Sequence, residues 1–360
     1  MKTFIWTEEP LKVFGIPNFY KTHKYERLPE SVRDEIPSLR GSADRVPGVR
    51  VGFRTDATEF TVKVTLATLS PHTYLGRGCA QSVSVMTGDR PISFYAGTFC
   101  PHNYDSKIFQ ETFRKSAVME DVTLWLPRKE KIEEVEISFP DDDARVEAPT
   151  PYRYSKAVVY GCSTTEGCYS STPTNDYISL LSRWFDMDYY NLGFSGSALG
   201  EPEMARYINT FKDEMMLFIY DYDDNAPDPE FLQKTHEPFF RIIREANPDL
   251  PVLFLSKPDF YLWARSDETR EIIRSTCERA LEAGDKNVYF VDGETMFGSI
   301  PEDRYLCTVD GTHPNDLGFY RMATAIRPVM EKILASVDGV DEYQDHIKKY
   351  KPEDLVCLRK

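Results

Sequence analysis

The spacing of apolar side chains changes character near the middle of the chain. In the first 150 residues the apolar positions come in short runs of strand length. Glu59 to Leu66 reads Glu-Phe-Thr-Val-Lys-Val-Thr-Leu, an alternation with a period of two. This is the mark of a strand with one face buried and the other in water. Val49 to Phe53, Ser82 to Met86, Asp121 to Leu126 and Val135 to Phe139 are further runs of this kind, and Thr87-Gly88-Asp89-Arg90-Pro91 is a turn-rich stretch between two of them. No long helical period lies among them. Strands at regular spacing with turn signals predict a β-sandwich over residues 1–150.

Residues 140–156 are rich in Pro and Asp and read as a junction. Beyond them strand-like and helix-like patterns alternate. Ala157 to Tyr160, Tyr189 to Leu192, Met215 to Tyr220, Val252 to Leu255 and Val288 to Val291 are continuous apolar runs, as expected of strands covered on both faces. Between and after them, helices are predicted over Thr174 to Phe185, Pro202 to Phe211, Pro229 to Ala246, Asp267 to Ala283 and Leu317 to Ala335. Pro238 predicts a break or kink in the third of these. The pattern calls for an α/β domain over 155–337, a parallel sheet with helices on both faces. A charged extension, 338–360, follows it. In such a sheet ligands bind beyond the C-terminal ends of the strands.

Composition narrows the choice of partners. The chain has 360 residues, 41% hydrophobic and 28% charged, with a formal net charge of -15. That balance argues against nucleic acid, which needs clustered Lys and Arg, and against anionic membranes. A neutral substrate such as a sugar ester is compatible with it. The N-terminus lacks a signal-like apolar run and no segment has transmembrane length, so a cytoplasmic location is expected. Seven cysteines with no Cys-x-x-Cys pair fit reduced thiols and give no zinc pattern. No metal or cofactor is expected. Oligomeric state is left open.

Candidate chemistry gathers at the strand ends. The first strand of the second half runs into Gly161-Cys162-Ser163-Thr164-Thr165-Glu166-Gly167. A serine flanked by glycines just past a buried strand sits on a tight turn, its hydroxyl toward the open end of the sheet. Taken alone, the same serine reads sooner as a helix N-cap than as a nucleophile. Cys162 is a rival nucleophile, but as an immediate neighbour it is expected to face the other way. The second strand ends in Asn191-Leu192-Gly193-Phe194-Ser195-Gly196, where Gly193 lets a backbone N–H approach a ligand. The third ends in Tyr220-Asp221-Tyr222-Asp223-Asp224-Asn225, where Asn225 offers a side-chain amide. The neighbouring acids read as solvated loop acids before they read as a cation site. Near the end stands Asp310-Gly311-Thr312-His313-Pro314. There an imidazole with an ordinary pKa near ~6.5 lies within reach of a carboxylate that can fix its tautomer. The other five histidines lack such a context. Glu166 and Glu201 read as acids offsetting helix dipoles. The aromatic stretch Tyr95 to Tyr104 is a candidate for leaning over the site.

Taken in order, these segments resemble the blocks of the SGNH/GDSL hydrolase superfamily. Gly161-Cys162-Ser163 is similar to the first block, with Cys162 where many members carry Asp. Gly193 is similar to the glycine of the second. Asp223-Asp224-Asn225-Ala226 keeps only the Asn of the third, and Asp310-Gly311-Thr312-His313-Pro314 matches the fifth. The whole chain also resembles a two-domain bacterial subgroup in which a jelly-roll precedes the hydrolase domain. Val51-Gly52-Phe53-Arg54-Thr55-Asp56, Tyr220 to Pro227 and Ser256-Lys257-Pro258-Asp259-Phe260 carry that likeness. The resemblance implies a three-layer, flavodoxin-like parallel sheet. It implies Ser163, His313 and Asp310 as a catalytic triad, and the N–H groups of Ser163 and Gly193 with the Asn225 amide as an oxyanion hole. It also implies an acetylated oligosaccharide or other small ester as substrate. The rival readings are a sugar-binding or scaffold protein with a decayed site, and a lipase or thioesterase for longer acyl chains.

Overall fold

The computed structural model describes residues 1–70, 75–103, 105–258, 266–298, 300 and 304–338. Tyr104, Asp259, Phe260 and the extension expected beyond Asp338 lie outside them.

The first half forms two antiparallel sheets. One holds β1 (Lys2–Ile5), β9 (Ile132–Phe139), β4 (Glu59–Leu66) and β7 (Ile108–Arg114), in that order. The other has β10 (Val146–Glu147), β3 (Arg50–Thr55), β8 (Glu120–Trp125), β5 (Val83–Thr87) and β6 (Phe94–Phe99), with β2 (Lys12–Phe14) also paired to β3. The period-two reading of β4 holds residue by residue, with Phe60, Val62, Val64 and Leu66 all buried. They meet Val51, Phe53, Val122 and Leu124 of the other sheet in a single core. The helices here are short: α1 (Phe19–Thr22), α2 (Glu30–Glu35) and α3 (Arg77–Gln81). The strands that the pattern did not announce include β7, where only Phe109 and Phe113 are buried. Its polar positions outnumber its apolar ones because most of the strand faces water.

The second half is a five-stranded parallel sheet in the order β12 (Met187–Gly193), β11 (Tyr154–Gly161), β13 (Met215–Asp221), β14 (Val252–Leu255), β15 (Val288–Val291). Alternate residues of one strand feed opposite cores. Val158 and Tyr160 of β11 meet α6 (Pro202–Ile208), α7 (Pro229–Ala246) and α8 (Ser266–Glu282). Ala157 and Val159 meet α5 (Tyr177–Phe185) and the last helix, α9 (Asp316–Asp338). Burial on both faces accounts for the unbroken apolar runs. Helix α7 continues through Pro238 instead of ending there. Asp176 caps α5 by accepting the Ser179 N–H at 2.9 Å. No helix among the described residues is long and apolar enough to cross a membrane.

The two halves are not separate cores. Leu28, Val32, Ile36, Leu39 and Ala43 pack on the helical layer of the parallel sheet, although they precede most of the sandwich strands. Met86 and Trp125 of the sandwich join the core on the opposite face. Buried ion pairs cross between the halves, Arg50 to Asp188 at 2.6 Å and Arg128 to Asp176 at 2.7 Å.

Candidate active site

Strand order 2-1-3-4-5 reverses between β11 and β13, so the loops following these two strands splay apart and leave a crevice. Ser163 opens a single helical turn, α4 (Ser163–Glu166), directly beyond β11. The turn is tight because Gly161 has no side chain. A Cβ there would lie 2.1 Å from the Asp221 carbonyl oxygen. Cys162 is buried, its sulfur accepts the Thr164 N–H at 3.4 Å, and burial pushes its thiol pKa well up. As expected of the neighbour, it faces the core. The Ser163 N–H, first in its turn, has no helical acceptor.

Ser163 Oγ lies 2.9 Å from His313 Nε2, and His313 Nδ1 lies 2.8 Å from Asp310 Oδ2. The other carboxylate oxygen, Asp310 Oδ1, accepts the N–H of Thr312 at 3.0 Å and that of His313 at 2.8 Å. Partial burial pushes the Asp310 carboxyl up. The N–H groups of His313 and Thr312 and the imidazole outweigh it, so its pKa falls below the ordinary value. The loop is closed by a Thr308–Pro314 bridge and by Val309 N–H to His313 O at 3.0 Å, with Gly311 in the left-handed region at φ 84°. Just after it, Asp316 accepts the Ser171 N–H at 2.6 Å and the Asn175 amide at 2.9 Å, fastening α9 to the loop that follows α4.

Asn225 lines the same cavity of about 470 Å³ as Ser163 and His313. Its Oδ1 accepts the Ala198 N–H at 3.3 Å, which leaves the amide nitrogen for a ligand. Gly193 does not line that cavity. Its N–H donates to Asn191 Oδ1 at 2.9 Å, and its carbonyl accepts from Arg27. What requires glycine there is packing, since a Cβ would come 2.4 Å from the Glu166 nitrogen. Gly196, three residues on, does line the cavity. It sits at φ 67°, and its N–H makes no hydrogen bond to another described residue. At this strand end the Asn191 side chain takes the Gly193 N–H, and the N–H that faces the cavity without a described partner is that of Gly196.

By sequence, residues 155–331 match the GDSL-like lipase/acylhydrolase family. Over that stretch the chain belongs to this family. The fold extends the likeness to the whole chain. It is similar to a protein named a GDSL-like lipase from Bacteroides ovatus ATCC 8483, at 24% identity, 92% of this chain, 98% of that one and a TM-score of 0.81. It is similar to the salicylyl-acyltransferase SsfX3 from a tetracycline biosynthetic pathway, at 20% identity, 93% and 99% coverage and a TM-score of 0.74. A family two carbohydrate esterase from Clostridium thermocellum, in complex with cellohexaose, follows at 16% identity, 80% and 93% coverage and a TM-score of 0.57. No curated protein matches the chain.

Several residues around this GDSL-like site differ from their reading in the sequence. Glu166 lies in the first turn of α4, but it is also buried, paired with Lys129 at 2.7 Å and accepting the Ser195 N–H at 3.1 Å. Burial pushes Glu166 up, but Lys129 and Arg27 outweigh it and hold the carboxyl at about 2. Glu201 stands at the N-cap of α6, in keeping with its reading, and also accepts the Tyr160 hydroxyl at 3.0 Å. Asp221 and Asp223 are buried as well. The first accepts Thr165 Oγ1 and Tyr177 OH, both at 2.7 Å, and the second the Lys257 N–H at 2.8 Å. Burial raises each to about 7. Among the described residues no group of three or more His, Cys, Asp or Glu is placed to hold a metal ion. None of the described residues of the Tyr95 stretch lines the cavity. The sandwich half reaches it through Arg45, Leu75 and Lys129 instead. Tyr169, in the left-handed region at φ 69°, sets its ring 4.9 Å from that of His313 and packs against Leu75.

Proposed function

We propose that the chain is a serine esterase for small acyl esters, and that its substrates are O-acetyl groups on plant-derived oligosaccharides. The observation that carries this reading is the hydrogen-bonded row Ser163, His313, Asp310 at the mouth of the cavity. In this reading His313 takes the Ser163 proton as Oγ attacks the ester carbonyl. The developing oxyanion is met by the N–H groups of Ser163 and Gly196 and by the Asn225 amide. His313 then protonates the departing sugar oxygen, leaving an acyl-serine. Water, deprotonated by His313, attacks the acyl-serine. Acetate departs, and the proton returns to Ser163. Asp310 holds the imidazole in the tautomer this sequence needs and stabilises its charged form.

The walls support a short acyl group. Among the described lining residues Lys129, Ser195, Asp224 and Asn225 are polar, and Leu75 and Tyr169 are the large apolar contributors. An octanoyl chain would bury its methylenes against polar groups. The sugar part of the proposal draws on the fold-level likeness to carbohydrate esterases. Transfer to a hydroxyl acceptor is a second reading, favoured by the whole-chain likeness to an acyltransferase. Both readings share the acyl-enzyme and differ only in whether water or an alcohol resolves it. The test is release of acetate from acetylated xylo- and manno-oligosaccharides, alongside 4-nitrophenyl esters from C2 to C8. Ser163→Ala is expected to abolish turnover. Full activity in that variant sinks the assignment, a preference for C8 sinks the acetyl reading, and an ester product formed with added alcohol in place of acetate favours transfer.

A further inference from the structure

We infer that Arg45 is a specificity-determining residue of the cavity, and that the substrate carries a carboxylate which its guanidinium binds. The inference rests on the esterase reading only for the identity of the ligand as a substrate.

Arg45 is half-buried and lines the same cavity as Ser163, His313 and Asn225. Its side chain makes no ion pair or hydrogen bond to another described residue. The adjacent carboxylate is committed elsewhere, as Asp44 faces Lys131 at 3.5 Å. Across the cavity Asp224 is paired with Lys257. Glu166 is already shared by Lys129 at 2.7 Å and Arg27 at 4.0 Å. Glu166 therefore already has two cations, and Arg45 has no carboxylate partner among the described residues. Its place costs the fold something. Burial, with a smaller push from the nearby charge of Arg45, lowers the Arg27 guanidinium to about 10 in spite of Glu166.

An arginine that repels its neighbour and faces an open cavity is poorly explained by stability. It is well explained by a ligand anion, since the planar fork of a guanidinium matches a carboxylate in two parallel hydrogen bonds. This local excess of positive charge stands in a chain of net charge -15. Attraction of an anion therefore has to come from the cavity itself and not from the whole-molecule field. The carboxylate can belong to the alcohol, as in a uronic acid residue, or to the acyl group, as in a dicarboxylic half-ester.

Binding to the intact protein by calorimetry separates these sources and needs no turnover. One arm compares methyl glucuronoside with methyl glucoside, the other succinamate with butyramide. In at least one arm the carboxylate ligand is expected to bind tighter than its neutral match by roughly tenfold or more, as charge-assisted hydrogen bonds do. Arg45→Gln should bring that ratio to about one, while Arg45→Lys, which keeps the charge but not the fork, should retain part of it. Equal binding of charged and neutral ligands in both arms overturns the inference, as does a preference that survives in Arg45→Gln. Hydrolysis of 4-nitrophenyl acetate by the same preparation reports on the esterase reading separately. A carboxylate preference without hydrolysis would refute the reading and leave the site standing.

Discussion

At the scale of single residues, the site turns on which polar groups are left over once the fold has used the rest. The Asn225 amide nitrogen is one of these, because its oxygen is fixed by Ala198. Asn225→Ala should therefore lower kcat by roughly 10²–10³ with a smaller change in KM, as loss of an oxyanion donor does. Steady-state kinetics on an aryl acetate measures it, and an unchanged kcat would remove Asn225 from the proposed mechanism. Gly193→Ala should behave differently. Its new Cβ would meet backbone 2.4 Å away, so the cost falls on the fold, about 1–3 kcal/mol by overpacking. Denaturant titration should show that loss, and whatever fraction folds should keep its kcat. Ser163, His313 and Asp310 were legible in the sequence because strand end, turn and three-residue spacing are local facts. The choice between Gly193 and Gly196 was not, because it depends on where the Asn191 side chain points. Arg45, Leu75, Lys129 and Tyr169 carried no local signal, since three of them arrive from the other half of the chain.

At the scale of elements, the end of β13 deserves a titration experiment. Asp221 and Asp223 have folded pKa values of about 7, raised by burial above the ordinary 3.8. Between those values the folded protein holds protons that the unfolded chain has released, so stability should fall as pH rises through about 4 to 7 and level off above. Glu166 acts in the opposite sense, and its contribution is lost only as pH drops below about 4.5 toward 2. Asp221→Asn can still accept the Tyr177 and Thr165 hydroxyls but has no proton to lose. Its stability should decline less steeply across that window, by up to about 1.4 kcal/mol per pH unit. Unfolding midpoints at pH 5, 6, 7 and 8 give the slope, and identical slopes for the two proteins would count against a raised Asp221. Most elements of this half were readable within a residue or two, because strands buried on both faces and amphipathic helices have distinct periods. Helix α7 runs unbroken through Pro238. Its apolar face, Leu232, Phe239, Phe240 and Ile243, is held by the sheet on both sides of the proline. Tertiary packing thus offsets the lost backbone hydrogen bond.

At the scale of the whole molecule, charged side chains bind the halves together. Arg128 is buried and bridges from the sandwich to Asp176, Ser170 and the Gly167 carbonyl, the segment that holds Tyr169 beside His313. Arg128→Ala strands the Asp176 carboxylate and should cost about 3–5 kcal/mol. It should also loosen the Tyr169 loop, so activity should fall in the folded fraction as well. Denaturant unfolding followed by kinetics at matched folded fraction separates the two effects. A variant as stable as the parent would show that the bridge is dispensable. None of this was readable as a division at residue 150. The sequence pattern marks where strands give way to alternating strands and helices, but not that residues 28–43 cross over to the parallel sheet.

The wall of the cavity has a consequence for how such a protein can diverge. Ser163, Asn225 and His313 are encoded after the junction, whereas Arg45, Leu75 and Lys129 come from before it. Drift or recombination in the first part of the gene can therefore retune which molecules enter while the reacting groups are inherited intact. Lys129, tied to Glu166, and Leu75, packed with Tyr169, are constrained by both parts. Arg45 is the position where relatives with a common chemistry should first come to differ in diet.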